Sequence, residues 1–107
     1  MAVRYNKPFA PIMTAAVGIT IAASSDRVAL PAGYRHFRLH NRASEDIYLK
    51  TGNSTVTASA SNTGNMTIGS GAIEILDLNA PSDGSLYLAA IGTGSTGSLN
   101  ITPGSGL

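Results

Sequence analysis

Short runs of alternating apolar and polar residues recur along this chain, and glycine, proline or a polar cluster stops each run after roughly 8–12 residues. In "VGITIAA", Val17, Ile19 and Ile21 share one face, with Gly18, Thr20 and Ala22 on the other. In "YRHFRLHN", Phe37 and Leu39 share a face and Tyr34, His36, Arg38 and His40 share the opposite one. In "DIYLKTGN", Ile47 and Leu49 point inward and Tyr48 and Lys50 outward. "RVALPAG", "MTIGSG", "SLYLAAIG" and "SLNIT" add further short strands, and "STVTASASNTGN" starts as one at Val56 before dissolving into a polar loop. "AIEILDL" is apolar on both faces, which suits a central or bulged strand. No window keeps apolar residues at i, i+3, i+4 and i+7 for three turns, and the load of Ser, Thr and Gly lowers helix propensity throughout. The expected fold is a single all-β domain, an antiparallel β-sandwich of jelly-roll or Ig-like type with about eight short strands.

At 107 residues the chain has room for one core and none for separate cofactor and substrate domains. Residues 1–16, "MAVRYNKPFAPIMTAA", follow neither period and hold two prolines, so they are expected to form an extended N-terminal arm, with the sandwich over residues 17–107. Phe9, Ile12 and Met13 in that arm would each gain about 1.5–3 kcal/mol by burial, so the arm is expected to pack on its own body or on a neighbour. Arg4 and Lys7 ahead of "FAPIMTAAVGITIAA" have the outline of a signal peptide, but Pro11 interrupts the run and residues 17–23 alternate as a strand. The apolar run is too short for a membrane-spanning helix, and no membrane partner is expected.

Apolar residues make up 43% of the chain and charged residues only 12%, about half the usual share. A weakly charged surface is cheap to desolvate, which favours contact with other proteins. Residues 1–50 carry all seven basic residues and three acids, a net +4, while residues 51–107 carry three acids and no base, a net −3. The scattered bases form no nucleic-acid stripe, whereas the two halves suit complementary contacts between copies of the chain. There is no cysteine, so disulfides and thiolate metal sites are excluded.

The motifs that suggest chemistry each fail on context. Gly92-Thr93-Gly94-Ser95-Thr96-Gly97 matches G-x-G-x-x-G, but "SLNITPG" follows as a strand where a phosphate-binding loop needs a helix N-terminus. The glycines are expected to serve as the exposed tip of a hairpin between the last two strands. His36 and His40, the only histidines, would sit roughly 13 Å apart on an extended strand, too far to share one metal ion. No G-x-S-x-G elbow exists, and the adjacent Glu45 and Asp46 would point apart on an extended chain. Neither an enzymatic activity nor a cofactor is expected. Three Asn-x-Thr/Ser sequons, at Asn53, Asn65 and Asn100, reflect a Ser/Thr/Asn-rich composition.

"RVALPAGYRHFRLHN", "DIYLKTGNSTVTAS", "AIEILDL" and "LYLAAIGTGSTGSLNITPGSGL" together resemble the small β-sandwich virion proteins of tailed bacteriophages, most of all the capsid cement, or decoration, proteins. The shared pattern is a strand ending in a Lys/Arg-x-Gly turn, a "STVTA" step, an Ile/Val-Glu-Ile/Val strand and a closing "AAI…G…L-x-I-T-P-G" segment. It covers residues 27–107 and leaves out the arm. The resemblance implies a homotrimer without enzymatic activity, made in the host cytoplasm and seated on the outer capsid surface, where it binds the major capsid protein and bridges neighbouring subunits. Other phage proteins of this look sit in the tail or as head fibres. A receptor- or carbohydrate-binding module is the alternative, with Tyr34, Tyr48 and Tyr87 as its aromatic candidates. For a contact surface, the residues singled out are Arg4, Tyr5, Lys7, Phe9 and Ile12 in the arm and Tyr34, His36, Arg38 and His40 on one strand face.

Overall fold

Among the described residues, nine antiparallel strands build two facing sheets, so the expected β-sandwich forms, and there is no α-helix. The computed structural model describes residues 10–60, 65–78, 86–94 and 97–105. The strands are β1 (Ala10–Pro11), β2 (Val17–Ile21), β3 (Asp26–Ala29), β4 (His36–Asn41), β5 (Ile47–Gly52), β6 (Met66–Ile68), β7 (Ile73–Asp77), β8 (Tyr87–Ile91) and β9 (Gly97–Ser105). A 3-10 turn at Met13–Ala15 separates β1 from β2.

The first sheet has the order β1-β9-β4-β7, with β2 also paired to β9, and the second has the order β3-β8-β5-β6. β2 pairs with β9, β3 with β8, β4 with β7 and β5 with β6. This nesting is that of one long antiparallel ribbon rolled up on itself, which is the jelly-roll arrangement and not the Ig-like one. The alternating runs face as their sequence requires. Ile19 and Ile21 of β2, Phe37 and Leu39 of β4, and Leu99 and Ile101 of β9 meet Ile47 and Leu49 of β5, Ile68 of β6 and Leu88 and Ala90 of β8 in one core.

β9 runs through Pro103 although it lies between two neighbours. Arg42 N–H donates to Ser98 O (2.9 Å), so the even-numbered residues of β9 bond towards β4 and the odd-numbered ones face the β1/β2 side. Pro103 therefore needs no N–H: β2 stops pairing at Ile101, β1 starts at Gly104, and Pro103 O accepts the Ile12 N–H (2.8 Å) between them.

Three expectations are corrected. β8 and β9 do not form a hairpin, because β8 belongs to the second sheet and β9 to the first. The glycine-rich segment between them crosses from one sheet to the other. β7 is neither central nor bulged: it pairs with β4 in regular register, and no other described strand pairs with it. Residues 53–60 hold no strand either; they form a turn at Asn53–Thr55 and then an irregular stretch.

Candidate functional site

The two outer faces of the sandwich differ. Over the second sheet the chain folds back on itself. Val56 and Ala58 pack on Ala89 and Ile91 of β8, flanked by Tyr48 and Tyr87. Ser25 Oγ accepts the Ala58 N–H (2.9 Å), and Asn53 Oδ1 accepts the Thr55 N–H (3.0 Å) and hydroxyl (2.6 Å), which fixes the covering segment at both ends. Sealed on both sides, β8 is apolar throughout, from Leu88 to Ile91.

The first sheet has no such cover among the described residues. Residues opposite one another across an antiparallel pair share a face, so His36, Arg38 and His40 of β4 lie beside Asp77, Ile75 and Ile73 of β7 and beside Gly104, Thr102 and Asn100 of β9. The three β4 side chains are half-buried. Ile73 and Ile75 are 53% and 37% exposed, unusual values for isoleucine in a regular strand. Asp77 holds a two-point ion pair with Arg35 (Nε–Oδ1 3.2 Å, Nη2–Oδ2 3.1 Å), and His36 Nε2 stands 3.9 Å from the same carboxylate. Arg38 Nε is buried with no hydrogen-bond partner among the described residues, a donor that costs about 1–3 kcal/mol if it stays unmatched.

Of the residues singled out from sequence, His36, Arg38 and His40 thus share one face, as the alternation required. Tyr34 precedes β4 and packs against the main core instead. Ile12 is 36% exposed beside the far more exposed Met13 (76%), at the opposite edge of the same sheet from β7. Arg4, Tyr5, Lys7 and Phe9 lie outside the described residues. Sequence reasoning missed Ile73 and Ile75; the signal was the two-sided apolar pattern of "AIEILDL", read as interior.

The glycine-rich crossing does hold an anion, and the anion is the chain's own. The Glu45 carboxylate accepts the Thr93 N–H (2.6 Å), the Thr93 hydroxyl (2.6 Å) and the Gly94 N–H (2.8 Å). These are the donors a phosphate would use, and they are occupied. A Cβ at Gly92 would collide with Glu45 Oε1 and Ile21 Cγ2, and one at Gly97 (φ +151°) would lie 2.7 Å from Arg42 O. Beside this crossing, fully buried Asn41 donates from Nδ2 to Glu45 O and Ile68 O (2.9 Å each), while its Oδ1 accepts the Ala43 N–H (2.8 Å). One side chain thereby ties the first sheet to β6 of the second. The segment is a structural clasp, and strand β9 follows it where a nucleotide site would need a helix.

A cleft of about 400 Å³ opens between the sheets beside β7, lined mainly by Leu49, Met66, Leu76, Leu78 and Leu88, with Lys50 the one ionisable lining group among the described residues. Among the described residues, no group of three His, Asp or Glu side chains could hold a metal ion, and no helix is long and apolar enough to cross a membrane. No protein-family model, no curated protein and no solved structure matches the chain.

Proposed function

We propose that this chain is a structural virion protein of a tailed phage, a non-catalytic capsid cement that works as a homotrimer on the outer shell and bridges neighbouring capsid subunits. The sequence resemblance suggests the virion, and one structural observation supports a contact role. The chain seals the outer face of its second sheet with its own residues 53–60, while no described residue covers the first sheet's face, which carries Ile73, Ile75 and a half-buried His36–Arg38–His40 row. Such a mixed apolar and polar face suits coverage by protein. Repeated by symmetry, one modest contact of this kind gains strength from effective concentration.

A tail or head-fibre module that binds a receptor or glycan draws less support from the geometry. Its aromatic candidates do not form a platform: Tyr34 packs on the core, and Tyr48 and Tyr87 flank the covering segment.

Quantitative mass spectrometry of purified virions tests the cement reading. Hundreds of copies per particle are expected. A handful of copies would assign the chain to the tail or a single vertex, and absence from virions would overturn the proposal.

A further inference from the structure

Among the described residues, β7 is an open strand edge with a definite chemical character. Leu78 N–H donates to Arg35 O (2.8 Å) and Asn41 N–H donates to Ala72 O (3.0 Å), one at each end of the β4–β7 ladder. Antiparallel bonding alternates from these points, so Glu74 and Leu76 bond towards β4 while the N–H and C=O groups of Ile73, Ile75 and Asp77 face outward. Three of the other edges carry usual protections against strand addition: β1 contains Pro11, β3 exposes Asp26 and Arg27, and β6 has only three residues. β2 pairs only with β9, but its edge is uncharged, turns Gly18 and Thr20 outward and offers no acid to a basic strand. β7 runs five regular residues with two exposed isoleucines, and its charges, Glu74 and Asp77, are both acidic. Asp77 is already paired with Arg35, so Glu74 sets the preference: the edge disfavours an acidic strand and admits a basic one.

A second β7 is a poor partner. The antiparallel register that sets Ile73 against Ile75 brings Glu74 opposite Glu74, and the register centred on Ile75 sets each Ile73 against an Asp77. The chain does hold a complementary segment. Val3-Arg4-Tyr5-Asn6-Lys7 alongside Ile73-Glu74-Ile75-Leu76-Asp77 in parallel matches Val3 with Ile73, Arg4 with Glu74, Tyr5 with Ile75 and Lys7 with Asp77. Pro8, which has no N–H, ends the match.

We infer that the β7 edge is the docking site for residues 3–7 of a second copy of this chain, added as a parallel strand. The segment cannot come from the same copy. Pro11, Gly104, His36 and Asp77 lie in one row across the sheet. A strand outside β7 is four strand spacings from β1, about 19 Å, whereas Lys7 and Ala10 are three Cα steps apart, at most about 11 Å. The contact is head-to-tail, donor arm to acceptor edge, so repetition closes into a ring if the rotation permits; a trimer is one such ring. This inference rests on the self-association in the proposed function and not on the capsid location.

The absence of cysteine allows a direct test in the full chain. Under mild oxidation, a Tyr5→Cys/Ile75→Cys variant is expected to form disulfides between chains, giving covalent oligomers on non-reducing gels, while Ile75→Cys alone stays a single chain. Arg4→Glu and Glu74→Arg are each expected to weaken association at least tenfold, measured by sedimentation, and the two together to restore it. A native chain that sediments as a trimer while the double-cysteine variant stays uncrosslinked overturns the arm pairing and leaves the trimer standing. A monomeric native chain overturns both. Dimers from Ile75→Cys alone would replace the arm with a second β7.

Discussion

Strands β7 and β8 carry the same kind of sequence and meet opposite environments. "IEIL" and "LAAI" both place apolar residues on both faces. In β8 all four residues are buried, because the core covers one side and Val56 and Ala58 cover the other. In β7 the core-facing Leu76 is half-buried, while Ile73 and Ile75 stay partly exposed on a strand whose outer edge no described strand covers. A two-sided apolar strand states that both sides have a use for apolar surface; it does not state whose surface completes the contact. For β8 the chain supplies it. For β7 the proposal is that another copy does.

An aspartate introduced at each strand gives the widest contrast. Ala89→Asp buries a carboxylate beneath Val56 and Ala58, with Arg27 and Lys50 opposite it on the neighbouring strands, so it is expected to cost about 3 kcal/mol or more. Ile75→Asp is expected to change monomer stability by about 0.5 kcal/mol or less, as at ordinary surface positions. Denaturant titration of both variants, at concentrations where the chain is monomeric, measures the difference. Equal losses would erase the distinction between the strands.

Further predictions concern the clasp from which β9 enters the first sheet. Gly97→Ala forces a Cβ against the backbone of Arg42 and Ala43, atoms that cannot rotate away. A loss of about 3 kcal/mol is expected from overpacking and backbone strain together, read as a lowered denaturation midpoint. Glu45→Ala leaves the Thr93 and Gly94 N–H groups without their acceptor. About 2 kcal/mol is expected for hydrogen bonds to a charged group, visible as a drop in melting temperature. The smallest effect is expected at the rim of the open face. Asp77→Asn removes an ion pair whose side chains are 66% and 47% exposed, so less than about 1 kcal/mol should be lost, and less still at high salt.

The alternation made the strands and their inward residues legible: Ile19, Ile21, Phe37, Leu39, Ile47 and Leu49 all point where the period placed them. Period two is a local property, and it survives because slipping one residue would expose the whole apolar set. What it does not carry is partnership. Nothing local in "AAIGTGSTGSLNI" distinguishes a hairpin from a crossing between sheets; the choice is made by Glu45, nearly fifty residues upstream, and by the nesting of the whole ribbon. The covering role of Val56 and Ala58 was hidden for the same reason, since two small apolar residues in a Ser/Thr-rich stretch have no period to read. At the candidate interface, the His36–Arg38–His40 row followed from spacing, while its neighbours Ile73 and Ile75 depended on knowing that β7 ends the sheet.

The central claim is that the β7 edge, and not the sealed face of β8, meets another copy of the chain. Hydrogen–deuterium exchange of the full chain across a concentration series tests it most directly. The amides of Ile73, Ile75 and Asp77 face outward from the ladder, so they should exchange fast when dilute and become protected as the chain associates, in step with residues 3–7. Residues 53–60 should not change. Association that leaves 73–77 unprotected, or that protects 53–60 in their place, would contradict the account.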